Sequence, residues 1–179
     1  MRAYITSTGE PTTALCKWAL ERQGFEVRLI LGKDSFNSKL QTIYNDADDD
    51  FIRVDADVIV NKNVHKLISE CPEEVWWWQS MSFDWWKMDI GYAGVQYIKK
   101  ECIPILREKI EGALHIDRPE SQMYRLPEFH NPRRCEGSGI VCGLHGYGQN
   151  DMERVKKLKE YRGQAANYDF ELAEKVSAL

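Results

Sequence analysis

The chain of 179 residues is long enough for one domain with a sizeable core, and its 43% hydrophobic and 29% charged residues are ordinary for a globular protein. A net charge of −4 gives no basic footprint for nucleic acid, and no apolar run reaches membrane-spanning length. Five irregularly spaced cysteines and an N-terminus without a signal-peptide pattern predict a cytoplasmic protein with reduced thiols.

The N-terminal third of the sequence predicts alternating strands and helices. Residues 4–7, 27–31 and 51–54 are short apolar or β-branched runs typical of strands, and segments of helical periodicity separate them. In the first of these helices we expect Leu15, Trp18 and Ala19 to face the core. The β-α-β-α-β order predicts a parallel sheet with right-handed crossovers.

Polar side chains follow the predicted strands, at the edge where parallel sheets bind ligands. These residues are Thr6, Ser7, Thr8, Asp34, Asp55 and Asp57. Two carboxylates placed two residues apart at the end of a buried strand are costly to desolvate unless a cation lies between them. Oxygen ligands of this kind suit Mg²⁺ or Mn²⁺.

Tryptophan is concentrated in the middle of the chain, where five of the six fall within residues 76–86. Residues 76–78 lie in a predicted strand and are explained by a place in the core. Trp85 and Trp86 lie in a predicted loop, where aromatic faces can stack on a sugar ring. Residues 91–98 predict another strand, with Gly94 where a backbone must approach a neighbour closely.

The later part of the sequence predicts a helix over residues 99–112. Pro104 lies within this range and is an alternative start for the helix. Glu120 follows a proline at a predicted helix start, a position that favours a carboxylate. Residues 127–134 are predicted to be a loop. Residues 137–148 predict a strand that enters a glycine-rich turn displaying His145. Two further helices are expected over residues 151–162 and 168–179.

In this order the features resemble nucleotide-diphospho-sugar glycosyltransferases of the GT-A fold. The resemblance rests on the Asp55-Ala-Asp57 motif after the third strand, Pro-Glu at a helix start, and the Leu-His-Gly turn at His145. It covers most of residues 3–148. It implies an α/β, Rossmann-like single domain with a mostly parallel central sheet flanked by helices. Residues 1–90 would bind the nucleotide-sugar, 91–150 would form the acceptor and catalytic half, and 151–179 the C-terminal helices.

The resemblance also implies roles for individual residues. Asp57 would bind Mn²⁺ or Mg²⁺ directly, Asp55 would contact the ion or the ribose, and His145 would be the third metal ligand. Glu120 would be the general base of an inverting enzyme, although Ser121 stands where many members carry a second acid, so the stereochemistry stays open. The residues implied at the nucleotide-sugar are Thr6, Ser7, Thr8, Asp34, Lys39, Asp55 and Gly94.

The expected function is transfer of a sugar from a nucleotide-sugar, with UDP as the family's commonest base, to an acceptor hydroxyl near Trp85 and Trp86. An alternative is a nucleotidyltransferase that makes the sugar nucleotide, which the lack of a glycine-rich, basic loop after the first strand disfavours. A catalytically silent nucleotide-sugar or carbohydrate-binding module is a third reading. The sequence leaves the oligomeric state open.

A structural zinc site is a rival interpretation of the same region. His130, Cys135, Cys142 and His145 supply four zinc-type ligands within sixteen residues. Their spacing does not match a standard finger, and only Cys142 and His145 are close-set.

Overall fold

The computed structural model describes residues 1–32, 35–85, 89–112, 126–130 and 134–148. In this part of the chain seven strands form one sheet. The strands are β1 Arg2–Ser7, β2 Glu26–Leu31, β3 Phe51–Asp55, β4 Val58–Val60, β5 Trp77–Asp84, β6 Asp89–Ile98 and β7 Cys135–His145. The helices are α1 Thr13–Glu21, α2 Phe36–Asp46, α3 Asn63–Ser69, α4 Ile103–Gly112 and α5 Pro127–His130, with a 3-10 turn at Lys100–Cys102.

The sheet has the strand order β2-β1-β3-β6-β5-β7-β4. The first three strands in sequence are parallel, as the β-α-β-α-β pattern predicts. β6 then runs antiparallel to both β3 and β5, β5 is parallel to β7, and β4 is antiparallel to β7. The parallel N-terminal unit is thus continued by a mixed C-terminal half.

The sheet is curled. β3 and β4 are consecutive in sequence and only Ala56 and Asp57 separate them, yet three strands lie between them in the hydrogen-bonded order. A two-residue connection can span only about 10 Å. The last strand must therefore return to the middle of the sheet, which brings β7 and β4 beside the carboxyl end of β3.

Helices cover both faces of the sheet, and each face has its own core. One core packs residues of α1 and α3, including Leu20 and Leu67, against the strands. The other packs α2, α4 and α5, with Leu40, Leu106 and Phe129 fully buried. This mixed α/β architecture with a flanked central sheet confirms the fold class predicted from the sequence.

The predicted core face of α1 was wrong. Leu15 and Trp18 are 40% and 54% exposed, and the buried residues of this helix are Cys16, Ala19 and Leu20. The Arg22 guanidinium lies over the exposed Trp18 ring, 5.1 Å from its centroid. The helical spacing of Leu15, Trp18 and Ala19 had suggested that they share the core face, but the i, i+4 pair Cys16 and Leu20 defines the face that meets the sheet.

Other predictions for the later chain had mixed outcomes. Residues 127–130, predicted to be part of a loop, form the short helix α5, which proline at its first position permits. The helix predicted over residues 99–112 becomes a 3-10 turn followed by α4. The helix start at Glu120 and the helices expected after residue 150 lie outside the described residues. None of the helices that are described has the length and apolar character of a membrane span.

Val58, the first residue of β4, fixes the curl of the sheet. Its side chain is fully buried between Gly94 of β6 and Gly143 of β7. A Cβ atom at Gly94 would collide with Val58 Cγ2, and one at Gly143 would lie 2.7 Å from Val58 Cγ1. Gly94 also has a φ of +60°, which a residue with a side chain adopts only with strain.

Gly94→Ala is expected to lower the free energy of unfolding by about 2–4 kcal/mol, because overpacking against Val58 adds to the strain of positive φ. Gly91→Ala is the matched control on the same strand, since its added Cβ meets no atom within 4 Å. Urea unfolding of both variants measures the difference. Equal stability of the two variants would show that Val58 does not require a glycine at position 94.

Candidate functional site

The carboxyl ends of β1 and β3 place Thr6 beside Asp55. The two residues are in register, and Thr6 Oγ1 donates a 3.0 Å hydrogen bond to Asp55 Oδ1. Arg53 Nη1 donates to the same oxygen at 2.9 Å. Asp55 Oδ2 is on the side of Gly94, within 3.4 Å of the position that a Cβ there would occupy. One carboxylate oxygen is therefore anchored by Thr6 and Arg53, and the other lies beside Gly94.

Arg53 is the buried counter-ion of this carboxylate. Its Nε donates to Gln96 Oε1 at 2.8 Å, and its guanidinium lies over the Phe36 ring at 5.1 Å. Burial raises the pKa of Asp55, and nearby Asp57 raises it further, while Arg53 and Thr6 oppose the shift. The Asp55 side chain is still 35% exposed. The edge thus holds a carboxylate whose negative charge is only partly compensated.

Asp57 and His145 meet although 88 residues separate them in sequence. Val58, which follows Asp57, is paired with His145, and Gly146 N donates to the Asp57 carbonyl oxygen at 2.9 Å. This backbone pairing leaves His145 Nε2 3.4 Å from Asp57 Oδ2. On the other side of the ring, Nδ1 lies 3.0 Å from Asp84 Oδ2.

The imidazole of His145 lies between two carboxylates, and this determines its charge. Burial alone would lower the pKa of His145, but hydrogen bonds and attraction to Asp57 and Asp84 outweigh it and raise the pKa to about 9. Both side chains that flank the ring are largely shielded from solvent. The cluster therefore favours positive charge at the place where these three residues meet.

The donors at this edge fit a hard divalent cation. Two ligands about 2.1 Å from an ion lie about 3.0 Å apart at right angles and about 3.4 Å apart at the tetrahedral angle. The 3.4 Å separation of Asp57 Oδ2 and His145 Nε2 is within that range. Among the described residues no three His, Cys, Asp or Glu side chains are arranged to hold an ion alone. Mg²⁺-type sites commonly use one or two protein ligands and complete the shell with substrate phosphates and water.

The loop after β1 is organised by Glu10. Its carboxylate accepts hydrogen bonds from Ser7 Oγ at 2.7 Å, Thr8 N at 2.8 Å and Thr8 Oγ1 at 2.6 Å. Partial burial tends to raise the pKa of Glu10, but the hydrogen bonds from Ser7 and Thr8 hold it below its ordinary value. This loop therefore carries an ionised acid at the point where a nucleotidyltransferase would be expected to have a glycine-rich, basic loop.

Lys39 supports the same loop from beneath. Its side chain is buried, and Nζ donates a 2.7 Å hydrogen bond to the backbone oxygen of Ser7. The contact couples α2 to the end of β1. Direct contact between Lys39 and a nucleotide stays a prediction.

Trp85 lies beside the acidic edge, at the end of β5. Its backbone nitrogen donates to the His145 carbonyl oxygen at 3.0 Å. Its ring packs edge to face with Tyr147, with the centroids 5.5 Å apart. Trp85 and Tyr147 are 39% and 45% exposed, so the pair forms an aromatic corner open to solvent.

The structure brings together most of the residues singled out in the sequence. Thr6, Asp55 and Gly94 form one group, and Asp57 with His145 forms another beside it. Asp34, Trp86 and Glu120 lie outside the described residues.

Sequence reasoning did not assign Arg53, Glu10, Asp84 or Tyr147 to the site. The i, i+2 spacing of Arg53 and Asp55 on one strand face was a usable indication for the first of these. Glu10, Asp84 and Tyr147 each lie close to a residue that had been assigned, but sequence proximity alone did not indicate their contacts.

The zinc interpretation is not supported by the geometry. Cys135 and Cys142 lie on the same strand, β7, more than about 15 Å apart even where bulges shorten it. Two cysteines at that separation cannot bind one ion. Cys142 is also fully buried in the core on the α1 side of the sheet.

No protein-family model matches this sequence, and no curated protein is significantly similar to it in sequence. Solved structures do share its fold. A 4-diphosphocytidyl-2C-methyl-D-erythritol synthase from Anaerococcus prevotii matches with a TM-score of 0.61 at 10% identity, over 89% of this chain and 94% of that one. A protein assigned as a glucose-1-phosphate thymidylyltransferase from Bacillus anthracis matches with a TM-score of 0.58 at 8% identity, over 95% and 97%.

The glycosyltransferase GlyE from Streptococcus pneumoniae matches at a TM-score of 0.49 and 14% identity, over 77% of this chain and 45% of that one. That similarity is too weak to support an argument. At 8% and 10% identity the two stronger matches establish the fold alone. This chain therefore shares the mixed α/β architecture of these two structures.

Glu10→Gln is expected to lower the free energy of unfolding by about 0.5–1 kcal/mol at pH 7, because charge-assisted hydrogen bonds to the loop are weakened. The folded-state pKa lies below the ordinary value of 4.5, so this contribution is present above about pH 4.5 and is lost as the pH falls below it. Urea unfolding at pH 7 and pH 3 should show the difference at pH 7 only.

The control for this pH dependence is Glu111→Gln, which removes an exposed acid of α4. It should be nearly neutral at both pH values. A Glu10→Gln effect of the same size at pH 3 would mean that the Glu10 charge does not hold the loop.

Proposed function

We propose that this protein is a metal-dependent glycosyltransferase that moves a sugar from a nucleotide-sugar, a UDP-sugar in the first instance, to an acceptor hydroxyl. The observation that carries the proposal is the approach of His145 Nε2 to Asp57 Oδ2 at the carboxyl edge of the parallel unit, beside the anchored Asp55. Residues from β7 and from the β3–β4 turn meet there because the sheet curls. The fold similarity supports a transferase of sugar nucleotides in general.

Each residue of the edge has a place in this reaction. Asp57 and His145, with Asp55, would hold Mn²⁺ or Mg²⁺, which stabilises the negative charge that develops on the departing diphosphate. Arg53 and Thr6 orient Asp55 through its Oδ1, so that Oδ2 is left for the ribose or the ion. The backbone of Gly94, next to Asp55 Oδ2, would lie near the donor sugar.

The nucleotide would lie across the end of β1. Ser7 and Thr8, whose conformation Glu10 and Lys39 hold, would line this part of the site together with Thr6, and Asp34 is proposed to join them. A general base is needed if the enzyme inverts the anomeric centre, and Glu120 is the proposed residue. Asp34 and Glu120 are assigned from the sequence alone.

A nucleotidyltransferase is the second candidate, because one of the two stronger structural matches is assigned as a thymidylyltransferase and the other as the synthase of a diphosphocytidyl compound. The β1–α1 loop argues against it. Nucleotidyl transfer from a nucleoside triphosphate places a pyrophosphate leaving group near such a loop, and the ionised Glu10 carboxylate would repel it. A silent binding module would share the nucleotide site without turnover.

The products distinguish these functions. With Mn²⁺ and a panel of UDP-, GDP- and dTDP-sugars, a glycosyltransferase is expected to release nucleoside diphosphate slowly even without an acceptor. With a nucleoside triphosphate and a sugar 1-phosphate, a nucleotidyltransferase would release pyrophosphate instead. Coupled assays for the two products, each repeated with EDTA, make the measurement.

Asp57→Asn is expected to reduce nucleoside diphosphate release by at least about 100-fold, because a metal ligand is lost. Asp49→Asn is the matched control, since Asp49 is an exposed acid in the turn before β3 whose carboxylate caps only the next backbone amide. Pyrophosphate release would replace this proposal with the second candidate. Nucleotide binding without either product would favour the silent module.

The aromatic corner is proposed to hold the acceptor. Trp85→Ala and Tyr147→Ala are each expected to raise the acceptor KM by about 10-fold, equivalent to 1–2 kcal/mol of lost stacking, and to leave acceptor-independent donor hydrolysis unchanged. Initial rates at varied acceptor concentration test this. Trp18→Ala removes an exposed tryptophan on α1 and should alter neither rate. An equal loss of donor hydrolysis would place the corner at the donor instead.

A further inference from the structure

Asp84 is a carboxylate of the acidic edge that the proposed reaction does not use. It is the last residue of β5 and is paired in register with His145 on the parallel strand β7. Its Oδ2 lies 3.0 Å from His145 Nδ1, on the side of the ring opposite Asp57. Both side chains are mostly shielded, at 14% and 24% exposure, so this contact is weakly screened by water.

The orientation of the imidazole is a separate matter from the position of its backbone. Trp85 N donates to His145 O at 3.0 Å, and Gly146 N donates to Asp57 O at 2.9 Å. These backbone hydrogen bonds hold the end of β7 without help from the Asp84 carboxylate. Rotation of the ring about its own side-chain bonds is not restrained by them. The contact of Nδ1 with Asp84 restrains the ring in the orientation in which Nε2 faces Asp57.

The identity of the facing nitrogen matters because a histidine binds a metal through one nitrogen while the other carries the proton. A carboxylate that accepts from Nδ1–H fixes this tautomer and the ring orientation, and makes Nε2 the better ligand. His145 has this arrangement. Its Nδ1 contacts the Asp84 carboxylate, and its Nε2 faces Asp57, the acid proposed to bind the ion.

We propose that Asp84 is a positioning residue, which holds His145 through Nδ1–H and directs Nε2 to the divalent ion shared with Asp57. This inference rests on the proposed function, because it requires that the edge binds an ion. Asp84 itself touches neither substrate nor metal in this arrangement. It acts through the imidazole ring.

The test is Mn²⁺ affinity of the full chain, measured by titration calorimetry without any sugar nucleotide. Asp84→Ala is expected to weaken binding by about 10- to 100-fold, the usual effect of losing the partner of a metal-bound histidine. Asp84→Asn should recover most of this loss, because the amide oxygen still accepts from Nδ1–H. Rescue by asparagine separates positioning from simple removal of charge.

Asp89→Ala is the matched control. Asp89 is the cross-strand partner of Asp84 in the β5–β6 hairpin, and its carboxylate caps the neighbouring Ile90 amide. The variant removes the same charge from the same hairpin but has no contact with His145 among those described. Its Mn²⁺ affinity should stay within about 2-fold of the wild type. Thermal unfolding of each variant confirms that it is folded before the titration.

A spectroscopic measurement tests the orientation directly. In the Mg²⁺-bound wild type, ¹⁵N spectra of His145 should show a protonated Nδ1 and a metal-shifted Nε2, and Asp84→Ala should lose this pattern while Asp89→Ala keeps it. If the wild type binds Mn²⁺ and Asp84→Ala binds it equally well, the inference fails and the proposed function stands. If the wild type binds no Mn²⁺ at all, both fail.

Discussion

The two-residue connection between β3 and β4 is the constraint on which the rest of the site depends. Because only Ala56 and Asp57 join two strands that have three other strands between them in the sheet, the sheet must curl until β4 and β7 reach the end of β3. Val58 stabilises this curl by filling the space between two glycines. Without the curl of the sheet, Asp57 and His145 would not lie next to each other. A packing requirement in the core thus determines the geometry of the polar edge.

Electrostatics explains why that edge needs cations. Asp55, Asp57 and Asp84 are carboxylates with limited exposure, and desolvating them is unfavourable unless positive charge is close. Buried Arg53 supplies it to Asp55, and without a metal ion the protonated His145 ring supplies it between Asp57 and Asp84. Positive charge at these positions therefore contributes to stability. In the proposed function, a divalent ion at Asp57 would supply part of this positive charge and would attract a diphosphate.

The sequence predicted the parts of this site that follow from local pattern. Thr6, Asp55 and Asp57 were assigned because they lie at the ends of predicted strands, and such strands can be recognised from the local sequence alone. His145 was assigned from the family resemblance and its glycine-rich turn. The contact with Asp84 depends on the register between β5 and β7, strands 50 residues apart whose pairing includes bulges, so no local pattern reports it. The error on α1 has a similar cause. Apolar residues lie on two adjacent faces of this helix, and only the tertiary structure shows that the face with Leu20 is buried while Trp18 is exposed.

When glycosyl transfer is compared with nucleotidyl transfer, the local chemistry of the β1–α1 loop is more informative than the fold. The two stronger structural matches share only 8–10% identity with this chain, so they reflect the arrangement of strands and helices and not the reaction. The loop after β1 is a local feature that the two reactions constrain differently. A triphosphate substrate requires positive charge there, whereas a nucleotide-sugar would keep its diphosphate near an ion held by Asp57. Glu10 makes this loop acidic and three of its hydrogen bonds depend on that charge, so the chemistry of the loop supports our proposal of glycosyl transfer over nucleotidyl transfer.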